Sequence, residues 1–229
     1  MVQTSLIILT RNEINGLKAL IKKIPFQHVD EFFAVDYKST DGTVDYFIKN
    51  KIPVIRQKTP GRGEAFRLAV KHAKGKNLIF FSPDGNENPN DIIVLKQMIQ
   101  DSNNDLVIAS RFMEKSRNEE DDKIFKFRKW TNQAFTLIVR LIWGGKVTDT
   151  INGYRAINKA LFNKLKLNAS GFAIEFQMTI RALKLHAKIA EIPTIEMNRI
   201  GGKSTAGAIP TGIKFIGLLL NEIKVGKKF

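Results

Sequence analysis

Short apolar runs alternate with amphipathic segments through the first half of the chain. Five runs have the length and composition of buried strands, and they cover residues 5–10, 31–36, 52–57, 77–82 and 105–110. Between the first two runs, Ile14, Leu17, Leu20, Ile21 and Ile24 recur at the spacing of one helix face. This alternation predicts βαβ units with right-handed crossovers. We therefore expect an α/β, Rossmann-like fold built on a mostly parallel sheet flanked by helices.

Two of the predicted helices carry capping signals. Residues 61–75 have helical spacing, and Gly75 is a typical residue just beyond a helix C-terminus. Asn90 precedes the apolar residues of 91–101 and belongs to the residue types that favour the N-cap position. The sequence thus predicts one helix that is closed by Gly75 and another that is capped by Asn90.

Polar residues follow four of the predicted strands. They are Thr10, Asn12 and Glu13, then Asp36, then Ser82 and Asp84, then Ser110 and Arg111. In open α/β sheets, ligands bind beyond the carboxyl ends of the strands. The residue types at these four ends suit a nucleotide and a metal ion.

The pattern changes after Arg111, where a polar loop leads into an amphipathic stretch over 123–145. Trp130 and Trp143 lie near the ends of this stretch, and cations interrupt its apolar residues. It has the character of a helix at a membrane interface, and a core helix packed on the sheet is the open alternative. A second basic amphipathic segment, 206–229, is too short to span a bilayer. We expect a main domain over 1–205 and this C-terminal segment as an addition to it.

Charge strengthens the contrast between the two halves. The formal net charge is +15, of which +3 falls in residues 1–110 and +12 in the remainder. The C-terminal half should attract polyanions such as nucleic acid, an anionic membrane or phosphorylated substrates. The alternative is a solvated basic surface that aids solubility.

Further features of the sequence bear on its location. The chain has no cysteine, which suits a reducing compartment. Its first residues lack the features of a signal peptide, and no apolar stretch reaches about 18 residues. We therefore expect a peripheral protein on the cytoplasmic face of a membrane, without a transmembrane helix of its own. A separate membrane subunit could also supply the anchor.

Several short motifs occur in an order that resembles a known family. They are LTRNE (9–13), VDYKSTDGT (35–43), GRGEAFRLAVKHAKG (61–75), SPDGNENP (82–89), IASRF (108–112), DTINGYRAI (149–157) and AEIPTIEMNRIGGKST (190–205). Together the chain resembles the family 2 glycosyltransferases with the GT-A fold. Within them it is most similar to the polyprenyl-phosphate sugar synthases, such as dolichyl-phosphate mannose synthase and its bacterial and archaeal relatives.

The resemblance implies an inverting hexosyltransferase that uses a GDP- or UDP-linked donor and a polyprenyl or dolichyl phosphate acceptor. The donor would be bound by Thr10, Asn12, Glu13, Asp36, Arg62, Asp84, Arg199, Lys203 and Ser204. Asp84 and Asn86 stand where the family holds Mg²⁺ or Mn²⁺. Ser82 departs from the family, which has an aspartate there, so metal affinity could be reduced.

On the acceptor side, the resemblance implies that Arg111, Arg128 and Thr131 hold the acceptor phosphate. Asp149, Asn152 and Arg155 would shape the surrounding site. Arginine suits a phosphate because its guanidinium can donate two parallel hydrogen bonds. Asp84, Arg111 and Arg128 would therefore carry most of the catalytic effect, through positioning and charge neutralisation.

Several of these residues also have a plain structural interpretation. Asp84 and Asp36 could be turn residues, Arg62 a solvated arginine, and Arg128 a cation that faces the membrane. Arg199, Lys203 and Ser204 could be a lid over the diphosphate or an exposed basic loop, and Asp149, Asn152 and Arg155 could serve a helix entry. The competing functions are a nucleic-acid-binding protein, a family 2 transferase with a soluble glycan acceptor, and a relative with impaired metal binding. No nucleic-acid recognition motif is present, and we expect no nucleic-acid partner.

Overall fold

The computed structural model describes residues 2–122, 124–200 and 208–229. The strands are β1 Thr4–Thr10, β2 Glu31–Asp36, β3 Val54–Arg56, β4 Asn77–Phe81, β5 Leu106–Ser110, β6 Arg155–Asn158 and β7 Ile189–Pro193. The helices are α1 Ile14–Leu20, α2 Thr43–Lys49, α3 Arg62–His72, α4 Asp91–Asp101, α5 Phe127–Trp143, α6 Lys159–Lys164, α7 Ala173–Lys184 and α8 Ala208–Val225. The five predicted strands are confirmed, while β6, α6, α7 and β7 were not predicted individually.

One sheet of seven strands, in the order β3-β2-β1-β4-β6-β5-β7, organises the described residues. All of its pairs are parallel except those that involve β6, which runs antiparallel to both β4 and β5. The mostly parallel α/β fold is therefore confirmed. Because β6 runs the opposite way, its first residue pairs with Phe80 and Ile108 near the carboxyl ends of β4 and β5. The residues just before β6 consequently join those strand ends.

Apolar layers cover both faces of the sheet. Within β1, Ile7 and Leu9 pack into one core cluster and Leu6 and Ile8 into the other, as expected for a strand that is buried on both sides. A third cluster lies where α5, α7 and α8 meet, and its aromatic members include Phe135, Phe176 and Phe215. This cluster attaches the two amphipathic helices to α7.

Of the two capping predictions, the N-cap position of Asn90 is confirmed and the closure of a helix by Gly75 is wrong. Helix α3 ends at His72, and Ala73 is already extended. Gly75 is needed for another reason, because a Cβ there would lie 2.5 Å from Ser5 Oγ and 2.6 Å from Ser5 N. Asn90 occupies the N-cap position of α4, but its backbone is helical and its side chain makes no capping bond.

Helix α5 packs against α7 and α8 along one side, and the membrane-interface interpretation of the 123–145 stretch stays a prediction. Phe135 and Val139 are buried against α7, whereas Leu137 and Leu141 are 54% and 77% exposed. Helix α8 shows the same division, with Phe215 buried. Its exposed apolar residues are Ile213, Ile216, Leu220 and Ile223. Each helix therefore packs along one stripe and presents a second apolar stripe to the solvent.

A buried ionic cluster ties α8 to α7. Glu222 is fully buried and accepts from Lys184 Nζ at 2.6 Å and from Arg181 Nη2 at 2.8 Å. Gln177 adds a hydrogen bond of 2.9 Å to the same carboxylate. The 206–229 segment, as far as it is described, is therefore packed on the main domain. Among the described helices, none has the length and apolar character needed to cross a bilayer.

Candidate active site

An open cleft of about 1080 Å³ lies at the carboxyl ends of β1 and β4. Strand ends form one side of it, through Thr10, Glu13 and Asp84, and the first turns of α5 and α8 also line it. The predicted site residues that line it are Thr10, Asn12, Glu13, Arg62, Asp84, Asn86, Arg111, Arg128, Thr131, Asn152 and Arg199. Most of the predicted site thus comes together in one place. Lys203 and Ser204 lie outside the described residues.

Arg199 joins two carboxylates on the strand side of the cleft. Its Nη1 lies 2.9 Å from Asp84 Oδ2, and its Nη2 is ion-paired with Glu13. Burial raises the pKa of Asp84 above its ordinary value, against the opposing effect of Arg199. Burial also raises the pKa of Glu13 to about 7. The negative charges of Asp84 and Asp41 add to this increase, and the positive charge of Arg199 only partly offsets it. Arg199 therefore places one positive charge between Glu13 and Asp84.

The turn after β4 positions Asp84 by pairing with the segment that follows β7. Ile200 N donates to Asp84 O at 2.7 Å, and Met197 N donates to Asn86 O at 3.0 Å. Asn86 Nδ2 donates in turn to Met197 O at 2.7 Å. Gly85 has a φ of +102°, and a Cβ there would meet Ile200 at 2.7 Å. Glycine is therefore required both for the turn and for the close approach of the two segments.

Glu87 is a residue of this turn that was not among the predicted site residues. Its Oε2 accepts from Ser82 N at 2.7 Å, so the carboxylate folds back to the start of the same turn. Burial raises the pKa of Glu87 well above its ordinary value, and the charge of Asp84 adds to the effect. Glu87, Ser82 and Asp84 all line the cleft.

Arg62 and Glu175 form an ion pair at the floor of the cleft. Arg62 Nε is bonded to Glu175 Oε1, and Arg62 Nη1 lies 3.3 Å from Ser82 Oγ. Gly153 leaves room for the pair, since a Cβ there would lie 2.2 Å from Arg62 Nη2. Glu175 Oε2 is buried and has no hydrogen-bond partner within the described part of the chain. Glu175 was not predicted as a site residue either, because its helix α7 was not predicted.

The loops after β1 and β2 are joined by side-chain hydrogen bonds. Thr10 Oγ1 donates to Asp36 Oδ2 at 3.0 Å, and Ser39 N donates to Asp36 Oδ1 at the same distance. Asn12 Oδ1 accepts from Thr40 N at 2.8 Å. Asp36 is fully buried and is not among the described residues that line the cleft. In this structure Asp36 holds the loop, and its complete burial separates it from the cleft.

Arg111 is held rigidly at the boundary between the two sides. It makes a bidentate contact with Asp149, at 2.7 Å from Nε and 3.1 Å from Nη2, and its Nη1 lies 3.5 Å from Glu196 Oε1. Burial opposes the charge of Arg111, but the two carboxylates raise its pKa above the ordinary value. Arg111 lines the cleft, whereas the fully buried Asp149 supports it from behind.

The first turns of α5 form the opposite wall. Arg128 Nη1 lies 3.1 Å from Glu119 Oε1, and Thr131 Oγ1 donates to Phe127 O at 2.7 Å. Lys214, from the first turns of α8, lines the same cleft. Cationic groups therefore dominate where the amphipathic helices begin.

The two remaining predicted residues have different positions. Asn152 lines the cleft and donates from Nδ2 to Ala109 O at 2.5 Å. Arg155 is fully buried and donates to the backbone oxygens of Asn152 and Glu175. Arg155 is not among the described cleft residues, so in this structure it supports the floor of the cleft from below.

The oxygen donors in the cleft suit a hard divalent cation. Asp84 carries a carboxylate, Asn86 and Ser82 carry neutral oxygens, and Glu87 brings a second carboxylate to the same turn. Within the described ranges, no group of three or more His, Cys, Asp or Glu could hold a metal ion by itself. Mg²⁺ commonly takes one or two carboxylates and completes its shell with water and substrate phosphates. In this structure Asp84 is paired with the guanidinium of Arg199, which shows that its carboxylate can hold a positive charge.

Comparison with known proteins identifies the family. The family model described as glycosyl transferase family 2 matches residues 5–166. The glycosyltransferase AglJ of Haloferax volcanii is 25% identical over 197 residues, which are 86% of this chain and 63% of AglJ. The chain thus spans less than two thirds of the length of AglJ. The undecaprenyl-phosphate mannosyltransferase of Micrococcus luteus is 26% identical over an alignment of 211 residues, and the match covers 86% of this chain and 85% of that protein.

Solved structures show the same fold. Glucosyl-3-phosphoglycerate synthase of Mycobacterium tuberculosis, crystallised with Mn²⁺, UDP and phosphoglyceric acid, superposes with a TM-score of 0.77. The match covers 96% of this chain and 78% of that chain, at 20% sequence identity. The likeness confirms the GT-A fold that the sequence motifs imply.

Proposed function

Since the chain belongs to glycosyl transferase family 2 and is a glycosyltransferase, we propose that it transfers a hexose of the mannose or glucose type to a polyprenyl or dolichyl phosphate. The donor is a UDP- or GDP-linked sugar. The reaction takes place at a membrane surface and inverts the configuration at the anomeric carbon. The undecaprenyl-phosphate mannosyltransferase relative supports a lipid phosphate as the acceptor.

One observation gives the main support for a lipid phosphate as the acceptor. The first turns of α5 and α8 line the cleft, and the exposed apolar stripes of both helices run away from it. Phe127 and Trp130, which lie in the first turns of α5, are 55% and 53% exposed. A polyprenyl phosphate needs a cationic pocket for its head group next to an apolar surface for its tail. The helix side of the cleft supplies both.

We assign the nucleotide sugar to the strand side of the cleft. Thr10, Asn12 and Glu13 flank the base and ribose, and Arg62 and Arg199 approach the diphosphate. Mg²⁺ or Mn²⁺, held by Asp84 and Asn86, would neutralise the charge of the leaving diphosphate. This assignment is supported by the solved relatives, which contain UDP with Mn²⁺ or Mg²⁺.

Arg111, Arg128 and Thr131 hold the acceptor phosphate in this proposal. One phosphate oxygen forms a bond to the anomeric carbon while the bond from that carbon to the diphosphate oxygen breaks, and the electron pair leaves with the diphosphate. The acceptor is already anionic, so the step needs no strong general base. The arginines orient the attacking group, and their charges stabilise the phosphates on both sides of the transferred sugar.

A soluble phosphorylated acceptor is the second candidate. The fold neighbour from Mycobacterium tuberculosis contains phosphoglyceric acid beside UDP. Arg111 and Arg128 could grip a small phosphate as well as a lipid head group. The exposed apolar stripes of α5 and α8 have no role in that function, which is why we favour the lipid.

Attachment to the membrane follows from the same surfaces. Residues 111–229 carry a net charge of +12, and cations such as Arg140 and Lys224 are exposed on α5 and α8. Basic amphipathic helices bind anionic leaflets through charge and apolar contact together. We propose a peripheral enzyme on the cytoplasmic face; a separate membrane subunit that covers the same helices is the alternative.

The test is a matrix of donors and acceptors. Radiolabelled UDP- and GDP-linked glucose and mannose are each incubated with the protein, Mn²⁺ and either a short polyprenyl phosphate or 3-phosphoglycerate. We expect label in the organic phase with the lipid and one preferred donor. Label only in phosphoglycerate would contradict the lipid acceptor and favour the second candidate.

A further inference from the structure

The turn that is assigned to the metal has lost one of the acids expected there. Ser82 occupies the first position of the motif, and its Oγ lies 3.3 Å from Arg62 Nη1. A serine hydroxyl next to a guanidinium is a weak ligand for a divalent cation, which prefers anionic oxygen. Asp84 alone would therefore bring a single negative charge from this turn.

Glu87 brings a second carboxylate back to the backbone of Ser82, the residue that replaces the missing acid. Three residues beyond Asp84, it reaches across the turn so that Oε2 accepts from the backbone N of Ser82 at 2.7 Å. The side chain is half-buried and lines the same cleft as Asp84 and Asn86. One carboxylate oxygen is thus oriented by a backbone donor, an arrangement that is common for carboxylates that bind metal ions.

The ion pairs of the cleft distinguish Glu87 from its neighbours. The other acids that line the cleft each pair with an arginine: Glu13 and Asp84 with Arg199, Glu119 with Arg128, Glu175 with Arg62, and Glu196 with Arg111. Within the described residues, Glu87 has no Lys, Arg or His nitrogen within 4.0 Å of its carboxylate. The charge of Arg62 reaches Glu87 only at longer range, and the neighbouring Asp84 adds a second negative charge, so the two carboxylates can accept a further cation.

We propose that Glu87 is a ligand of the divalent cation and supplies, together with Asp84, the carboxylate that Ser82 no longer provides. The inference rests on the proposed use of Mg²⁺ or Mn²⁺ with a nucleotide sugar. The cation binds between this turn and the donor diphosphate, with Asn86 as a neutral oxygen ligand. In this proposal the turn still binds a metal ion, because Glu87 takes over the ligand role of the aspartate that Ser82 replaces.

The test measures Mn²⁺ binding directly, through the loss of the free Mn²⁺ signal in electron paramagnetic resonance, with UDP or GDP present. Glu87→Gln keeps an oxygen that can accept from Ser82 N but removes the charge. We expect Mn²⁺ affinity to fall at least about tenfold. Glu64→Gln is the matched control, because Glu64 lies on α3, pairs with Arg67 and is not among the residues that line the cleft; it should bind Mn²⁺ as the unmodified protein does.

A reciprocal variant separates ligation from a structural effect. Ser82→Asp in the Glu87→Gln background moves the carboxylate to the position that the family uses, and Mn²⁺ affinity should recover most of the loss. Unchanged affinity in Glu87→Gln, or a loss that Ser82→Asp does not repair, would overturn the inference while leaving the proposed function standing. If the unmodified protein fails to bind Mn²⁺ with either nucleotide, the metal dependence of the proposed function fails together with it.

Discussion

The two sides of the cleft are made from different parts of the fold and carry different charges. On the strand side, Glu13, Asp84 and Glu87 follow β1 and β4, and Glu13 and Asp84 share Arg199. On the helix side, Arg128 and Lys214 occupy the first turns of α5 and α8, whose outer stripes are apolar and exposed. One side is thus rich in carboxylates and enclosed by the sheet. The other is cationic and borders an apolar surface.

This difference is the physical basis of the proposed assignment of one ligand to each side. Carboxylates repel a phosphate unless a divalent cation lies between them, so the strand side suits a diphosphate that arrives with a metal. Cations beside an apolar surface suit a single phosphate that carries a hydrocarbon tail. Arg111, fixed by Asp149, lies between the two sides, and in the proposed function it would contact the acceptor phosphate.

The largest effect is expected at Asp84. Asp84→Asn removes the charge that pairs with Arg199 and would hold the metal, so transfer should fall at least about a thousandfold. The measurement is the initial rate of sugar transfer at saturating Mn²⁺. Asp45→Asn is the control, because Asp45 is exposed on α2 and is not among the cleft residues. Undiminished transfer in excess EDTA would show that the reaction does not depend on a metal.

The effect of removing Arg128 on transfer should be smaller than that of Asp84→Asn, and it should be confined to use of the acceptor. Removing one charge-assisted contact costs roughly 1.5–3 kcal/mol, so Arg128→Ala should reduce kcat/KM for a short polyprenyl phosphate about ten- to a hundredfold. Affinity for the donor nucleotide, measured by calorimetry, should stay the same. Arg140→Ala on the exposed side of the same helix should change neither quantity. If Arg128→Ala lowered the affinity for the donor nucleotide as much as it lowers kcat/KM for the polyprenyl phosphate, Arg128 would belong to the donor site.

The exposed stripe of α5 should affect membrane binding without affecting the site. Leu141 is 77% exposed, so Leu141→Gln should leave the fold intact and weaken co-sedimentation with anionic vesicles about tenfold. Transfer to a short, soluble polyprenyl phosphate should be unchanged. Ile48→Gln is the control, since Ile48 is 61% exposed on the distant helix α2.

The same co-sedimentation experiment can be repeated at different salt concentrations. Binding to anionic vesicles should weaken at high ionic strength, because the attraction of the basic half is screened. If the protein sediments equally with neutral and anionic vesicles at every salt concentration, charge is not the anchor. If it sediments with neither, a soluble acceptor or a membrane subunit becomes the better explanation.

The smallest effect concerns Glu13 and the charge of the strand side. Its folded-state pKa of about 7 lies above the ordinary 4.5, so folding binds a proton between these values and stability is lost as the pH rises through about 7. Between pH 6 and pH 8 the unmodified protein should lose about 1 kcal/mol more free energy of unfolding than Glu13→Gln. Denaturant unfolding at the two pH values checks this. An equal pH dependence in both proteins would show that Glu13 keeps an ordinary pKa.

The strand side was the easier part to predict from the sequence. Each strand is a local apolar run, and the residue after it must lie at the sheet edge, so the positions of Thr10, Glu13 and Asp84 along the chain are enough to assign them to one cleft. The direction of β6 depends on its pairing with β4 and β5, which no local pattern reveals. For that reason Asn152 and Arg155 were predicted to lie together in the site, whereas Asn152 lines the cleft and Arg155 is buried beneath it.

The helix side and the ion pairs depend on contacts between distant segments. The amphipathic pattern of α5 predicted a helix with two faces, but the division between buried Val139 and exposed Leu141 is set by α7 and α8. Glu87 has no special sequence context, and only the folded structure reveals its contact with Ser82 N, on which its proposed role rests. The ion pair of Glu175 could not be predicted from the sequence either, because its partner Arg62 lies 113 residues away in the chain.

The proposed division of the cleft requires that the two phosphates occupy its opposite sides at the same time. A calorimetric titration of a short polyprenyl phosphate into the protein, first alone and then saturated with Mn²⁺ and the preferred nucleoside diphosphate, measures this directly. We expect one bound polyprenyl phosphate per chain in both titrations, with an affinity that the nucleotide does not abolish. If saturation with nucleotide eliminates the binding heat of the polyprenyl phosphate, the two ligands compete for one place and the division of the cleft is wrong.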